Sequence, residues 1–89
     1  LGYDVESGDR LIEVKGQKAK KPDFIYLYKR TLHKLGNNTL RYYIYLVYDI
    51  KQEPKLKILP PGKIFGNIEI EPMFLLRGKI FNSIEEIKL

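Results

Sequence analysis

The chain has no cysteine, no tryptophan and a single histidine, His33. Without cysteine there is neither a disulfide nor a thiolate zinc site. His33 sits among helix-like residues beside Lys34, so neither a histidine-rich metal cluster nor a Ser/His/Asp arrangement can be assembled around it, and it is assigned no role. No apolar run approaches the roughly eighteen residues of a membrane span, and no basic-then-apolar leader opens the chain. The expected setting is therefore cytoplasmic, with no membrane partner. Internal repeats, low-complexity tracts and a glycine-rich phosphate loop are also missing. What is present is positive charge: 16 lysines and arginines against 11 acidic residues in 89, a formal net charge of +5. Such a balance favours a polyanionic partner, because lysine and arginine gain affinity by releasing counterions from a phosphate backbone. The 44% apolar and 12% aromatic content suffices for one small core, hence one domain.

The chemically specific stretch is the first sixteen residues. Asp4 in LGYDVES precedes RLIEVKG, which carries Glu13, Val14 and Lys15. Leu11, Glu13 and Lys15 alternate with Ile12 and Val14, so a strand places Glu13 and Lys15 on one face, read as the chemical one, and Ile12 and Val14 on the other, read as core. Gly2 to Glu6 alternates in the same way, and Ser7-Gly8 supplies a turn, predicting a hairpin. With an even loop, either Ser7-Gly8 or Glu6 to Asp9, Asp4 lies opposite Leu11 and shares a face with Glu13 as a diagonal neighbour. A three-residue loop would send the Asp4 carboxylate to the other side. Two carboxylates on one face can share a divalent cation, and a lysine beside them can hold water or steady a phosphate.

At these residues the sequence resembles the PD-(D/E)XK nuclease signature of restriction-endonuclease-like proteins. More narrowly, GYDVES, RLIEVKG and the YYIYLVYDI run of residues 42–50 resemble the NO VEIN C-terminal-like domain. Tyr3 stands where the signature has its proline. The resemblance implies an α+β fold with a mixed sheet, ordered as a β-meander, a helix and a central strand, whose first helix would lie before Leu1. It implies that Asp4 and Glu13 are metal ligands for Mg²⁺ or Mn²⁺, that the Val14 carbonyl is a third, and that Lys15 positions water or stabilises charge, so that Asp4, Glu13 and Lys15 form the catalytic set. Where the family pattern has an acidic start to the next helix, this chain has Tyr28-Lys29-Arg30-Thr31.

The remaining residues read mainly as scaffold. Lys18, Lys20, Lys21, Lys29 and Arg30 gather in the same half as the candidate site and are expected to hold nucleic-acid backbone. Phe24 to Tyr28 predicts a strand, Lys29 to Leu35 a short helix stopped by Gly36 and Asn37, and Arg41 to Ile50 a central strand covered on both faces. Tyr42, Tyr43, Tyr45 and Tyr48 invite comparison with a base-stacking platform, although tyrosines in a central strand more often pack. Lys55 to Ile58 predicts an edge strand with its lysines outward, and Pro60-Pro61-Gly62 a turn. Ile64 to Ile70 and Met73 to Phe81 predict two more strands, and the capping-box pattern of Ser83 to Glu86 a terminal helix. Residues 1–59 are thus read as a partial PD-(D/E)XK-like core and residues 60–89 as a β-rich extension of the same domain.

The expected function is metal-dependent hydrolysis of phosphodiester bonds in nucleic acid, DNA in the first instance, by a piece of a larger DNA-processing or restriction-related protein whose other domains would be partners. The alternative is a catalytically inactive module of the same fold that binds nucleic acid or protein.

Overall fold

The computed structural model describes residues 4–70 and 73–89. Residues 1–3, including the Gly2 and Tyr3 of the predicted hairpin, lie outside the described residues. The fold is α+β: a mixed five-stranded sheet, a second three-stranded sheet and three helices.

The chain enters through a hairpin of β1 (Val5–Ser7) and β2 (Arg10–Gly16). It crosses through β3 (Ile25–Tyr26) and α1 (Lys29–Asn37) to β4 (Tyr42–Tyr48), which lies parallel to β2. β5 (Lys55–Leu59) returns antiparallel to β4. Then come α2 (Pro61–Asn67), β6 (Glu69–Ile70), β7 (Phe74–Leu76), α3 (Lys79–Asn82) and β8 (Ile87–Lys88). The large sheet has the order β1-β2-β4-β5-β8, and the small one β3-β7-β6.

β4 is central, as its apolar run predicts, but it is covered on one face only. Tyr42, Ile44, Leu46 and Tyr48 are buried, while Tyr43, Tyr45 and Val47 on the other face are half-exposed. Onto the buried face pack Ile25 and Leu27 around β3, Leu35 of α1, Ile64 of α2, Leu76 of β7 and Ile80 of α3, in one continuous core. The tyrosines therefore divide between the faces. Tyr42 and Tyr48 are core residues, and no four-ring stacking platform exists.

The parallel register sets Leu11 beside Tyr42, Glu13 beside Ile44 and Lys15 beside Leu46. Leu11, Glu13 and Lys15 thus share the buried face of β4, and Ile12 and Val14 belong to the less covered one. This reverses the face assignment made from alternation. A period of two says which residues share a face but not which face the rest of the chain will cover.

The hairpin loop is Gly8-Asp9, since Ser7 pairs with Arg10 and Val5 with Ile12. The loop is even, as the metal reading requires, but shifted by one residue from Ser7-Gly8, so that Glu6 and not Asp4 lies opposite Leu11. Gly8 takes φ +59°, where an L side chain is strained. Replacing Gly8 by alanine is expected to cost about 1 kcal/mol, read as a lower urea midpoint.

The C-terminal third departs most from expectation. Residues 61–67 are helical, in place of a turn at Pro60-Pro61-Gly62 and a strand from Ile64, because Pro61 occupies the first helical position, where its missing N–H costs nothing and its fixed φ suits the helix. After β7 the chain turns through Gly78 at φ +72° into α3. Ser83 closes that helix with its hydroxyl on the Ile80 carbonyl at 2.8 Å, so it does not open a new one. Residues 87–88 then form a strand paired with Lys55 and Leu56 of β5. The β5 lysines do not point outward: Lys55 and Lys57 are half-buried on the core side, the first paired with Asp49 at 3.3 Å and the second donating to the Ile84 carbonyl.

Candidate metal and phosphodiester site

β2 lies between β1 and β4, and its backbone groups alternate between the two neighbours. Leu11 N–H bonds the Arg41 carbonyl beside β4 and Gln17 N–H bonds Val47 of β4, so odd-numbered residues face that side. Val14, being even, faces β1. β1 pairs only as far as Val5 with Ile12, and beyond that point the Asp4 carboxylate takes the place of a strand: its Oδ2 accepts the Val14 N–H at 2.7 Å, while Asp4 N–H donates to the Ile12 carbonyl at 2.9 Å. Because N–H and C=O of one strand residue point the same way, the Val14 carbonyl faces the edge that Asp4 occupies.

Glu13 projects from the adjacent position onto the core face and is 8% exposed. Its Oε1 accepts the Tyr42 hydroxyl at 2.9 Å and the Thr31 hydroxyl at 3.1 Å, and its Oε2 pairs with Lys15 Nζ at 2.8 Å. The charge is paired and hydrogen-bonded, as a buried charge must be. Lys15, on the same strand face, also lies over the Tyr28 ring with its Nζ 5.1 Å from the centroid. Tyr28 is the residue from which α1 starts, and Thr31 lies in the first turn of that helix. The N-terminus of α1 thus sits on the Glu13 carboxylate, where the helix dipole favours negative charge.

Burial, the Glu13 charge and the hydrogen bond to Glu13 hold the Tyr42 phenol far above its ordinary range, and the Asp4 charge adds to this. Tyr42 therefore remains a proton donor to Glu13, and both carboxylates act on its hydroxyl. Sequence reasoning missed Tyr42 and Thr31. They come from 29 and 18 residues away, and only the parallel pairing of β2 with β4 and the crossover through α1 bring them in.

The basic residues divide between two places. Lys18, Lys20 and Lys21 are exposed in the loop between β2 and β3. Lys29 and Arg30 are exposed in the first turn of α1 and, with His33 and Lys34, line a shallow groove of about 550 Å³. His33 thus belongs to a basic surface, with its Nε2 3.2 Å from the Asn37 amide nitrogen.

A hard cation needs oxygen ligands. Two carboxylates and the Val14 carbonyl supply oxygen of the right kind, but among the described residues no three His, Asp or Glu side chains gather at one point. Both Glu13 oxygens are engaged by protein donors, so a cation on Glu13 must displace the Lys15 ammonium from Oε2.

The model of the family described as Protein NO VEIN, C-terminal matches residues 1–59. The chain belongs to that family. The match ends at Leu59, the last residue of β5, so the family region takes in the hairpin, the crossover and the central strand, with Asp4, Glu13, Lys15 and Tyr42 all inside it. No curated protein and no solved structure matches the chain. Among the described residues, no helix of this NO VEIN C-terminal domain is long and apolar enough to cross a membrane.

Proposed function

We propose that the Asp4–Glu13–Lys15 cluster is a PD-(D/E)XK-type site for metal-dependent hydrolysis of phosphodiester bonds in nucleic acid, DNA in the first instance. The observation that carries this reading is the convergence on one short strand segment of an exposed carboxylate bound to Val14 N–H, a buried carboxylate, and an ammonium 2.8 Å from that second carboxylate. Asp4, Glu13 and the Val14 carbonyl would hold Mg²⁺ or Mn²⁺, which when bound supplies charge neutralisation at the phosphate and a more acidic water.

In this reading Glu13 Oε2 would hold the cation in place of Lys15, whose ammonium would then be free for the scissile phosphate. There it orients water or stabilises the charge that grows on the phosphoryl oxygens. Tyr42 and Thr31 keep Glu13 in place during the exchange, because both bond Oε1 and leave Oε2 as the exchangeable atom. They are positioning residues. Lys29 and Arg30, at the exposed N-terminus of α1, hold the strand, and Lys18, Lys20 and Lys21 extend that contact along its backbone.

The test is cleavage of labelled single- and double-stranded DNA and RNA in Mg²⁺ or Mn²⁺. Asp4→Asn, Glu13→Gln and Lys15→Ala are each expected to abolish cleavage while the circular dichroism spectrum stays native. Wild-type rates in all three would exclude the site. Salt-sensitive binding that needs no metal and survives loss of both carboxylates would instead make the domain a binding module.

A further inference from the structure

A second concavity lies apart from the carboxylates. It measures about 440 Å³, within the range of small-ligand pockets, and is lined by Lys20, Lys21, Lys57, Asn82 and Glu86 over a floor that includes Tyr48 and Phe81. Three lysines from two separate segments line it. Among the described residues, no carboxylate forms a salt bridge with any of them, although Lys15, Arg41, Lys55 and Arg77 are all paired. The carboxylate in the cleft, Glu86, accepts the Tyr48 hydroxyl at 2.6 Å. Like charges gathered around one hollow repel each other unless an anion joins them.

The backbone that carries Lys20 and Lys21 is also held in place. The loop that carries Lys20 and Lys21 is tied at its start by Gln17 N–H to Val47 and by Asp49 N–H to the Ala19 carbonyl, both at 2.8 Å. At its end the Gln17 side chain donates to the Phe24 carbonyl at 2.9 Å and accepts the Asp23 N–H at 3.0 Å. Lys57 is anchored through one N–H to the Ile84 carbonyl, which leaves its other donors for a ligand. A loop fixed in this way loses little entropy on binding.

We infer that the cleft between the 17–24 loop and α3 is a phosphate-binding site, in which Lys20, Lys21 and Lys57 hold the phosphate of a nucleotide, the Asn82 amide adds a neutral donor, and Pro22 and Phe81 line the space for the attached sugar. The cleft is larger than a bare phosphate needs. A phosphate there could belong to a free mononucleotide or to the backbone of a bound strand, and the chemistry that holds it is the same. The inference shares Lys20 and Lys21 with the strand contact of the hydrolytic reading but does not rest on cleavage, since no divalent metal takes part and binding in EDTA tests it separately.

The experiment is titration of the isotope-labelled protein, in EDTA, with inorganic phosphate, a deoxymononucleotide and a short oligothymidylate, followed by amide chemical shifts. Saturable shifts are expected at Lys20, Lys21, Lys57 and Asn82. Lys20→Gln/Lys21→Gln should weaken binding about tenfold, and Glu86→Gln, which keeps an acceptor for Tyr48 and removes the negative charge, should strengthen it about threefold. Lys51→Gln/Lys63→Gln makes the same change in net charge on exposed positions elsewhere and should leave affinity within about twofold. Tighter binding of the oligothymidylate assigns the cleft to strand backbone, and tighter binding of the mononucleotide assigns it to a free nucleotide. Absence of saturable shifts with all three ligands, or an equal loss in the Lys51/Lys63 control, would overturn the assignment.

Discussion

Replacing Glu13 by alanine should remove about 3 kcal/mol of stability, out of the roughly 5–10 kcal/mol that holds a domain of this size together. The side chain accepts from three donors, and its loss deprives the buried Tyr42 and Thr31 hydroxyls, which also bond each other, of their carboxylate acceptor and unpairs Lys15, whose side chain is 23% exposed. A buried donor left without an acceptor pays its full desolvation cost. Glu13→Gln should cost only about 1 kcal/mol, since the amide oxygen still accepts from Tyr42 and Thr31 and only the pairing with Lys15 is lost. Asp4→Asn, at an exposed position, should fall within about 0.5 kcal/mol of the parent. Urea midpoints rank the three. An alanine variant as stable as the parent would show that the Glu13 network contributes nothing to the fold. The ranking also bears on function, because loss of cleavage in Glu13→Gln and Asp4→Asn then cannot be put down to unfolding.

Stability should fall steeply in alkali. The Tyr42 and Tyr48 phenols both lie well above the ordinary value of 10.0, each chiefly because burial disfavours the phenolate, with Glu13 acting further on Tyr42 and Glu86 on Tyr48. Below pH 10 both phenols are protonated in the folded and unfolded chain, and the contribution is present in full. Above pH 10 the unfolded chain releases protons that the folded chain keeps, so stability drops as pH rises, by up to about 1.4 kcal/mol per pH unit for each phenol and nearly 3 for the pair. Urea unfolding at pH values on either side of 10 measures the slope. The double variant Tyr42→Phe/Tyr48→Phe should begin less stable, because Glu13 and Glu86 each lose a donor, yet decline less steeply. A wild-type curve that stays flat, or a double variant that declines as steeply, would contradict the account.

Both results depend on a face assignment that alternation alone could not make. The strands at residues 10–16 and 42–48 and the helix that starts at Lys29 are legible in the sequence because their apolar periods are strong. The candidate site is legible as a set of residues, Asp4, Glu13, Val14 and Lys15, and its even hairpin loop follows from the chemistry asked of it. What could not be read locally is that Glu13 and Lys15 face the core. A Glu-x-Lys pair resembles solvated strand charge until Tyr42 and Thr31 are known to be within reach. The C-terminal third misleads for a related reason. Pro61 reads equally as a turn or as a helix start, and Gly62, Gly66 and Asn67 are poor helix formers in a segment that tertiary packing of Pro61 and Ile64 makes helical. The Ser83–Glu86 spacing fits a capping box, but the helix lies before it, and Glu86 bonds Tyr48 instead.

The claim on which the hydrolytic reading rests is that Asp4 and Glu13 take up one divalent cation together, with Lys15 giving way. Mg²⁺ titration followed by amide chemical shifts tests it directly, since the Val14 N–H is held by Asp4 and reports on any ion bound there. The account predicts saturable shifts at Glu13 and Val14 that disappear in Asp4→Asn and in Glu13→Gln. Shifts that never saturate, or that persist unchanged in both variants, would contradict it.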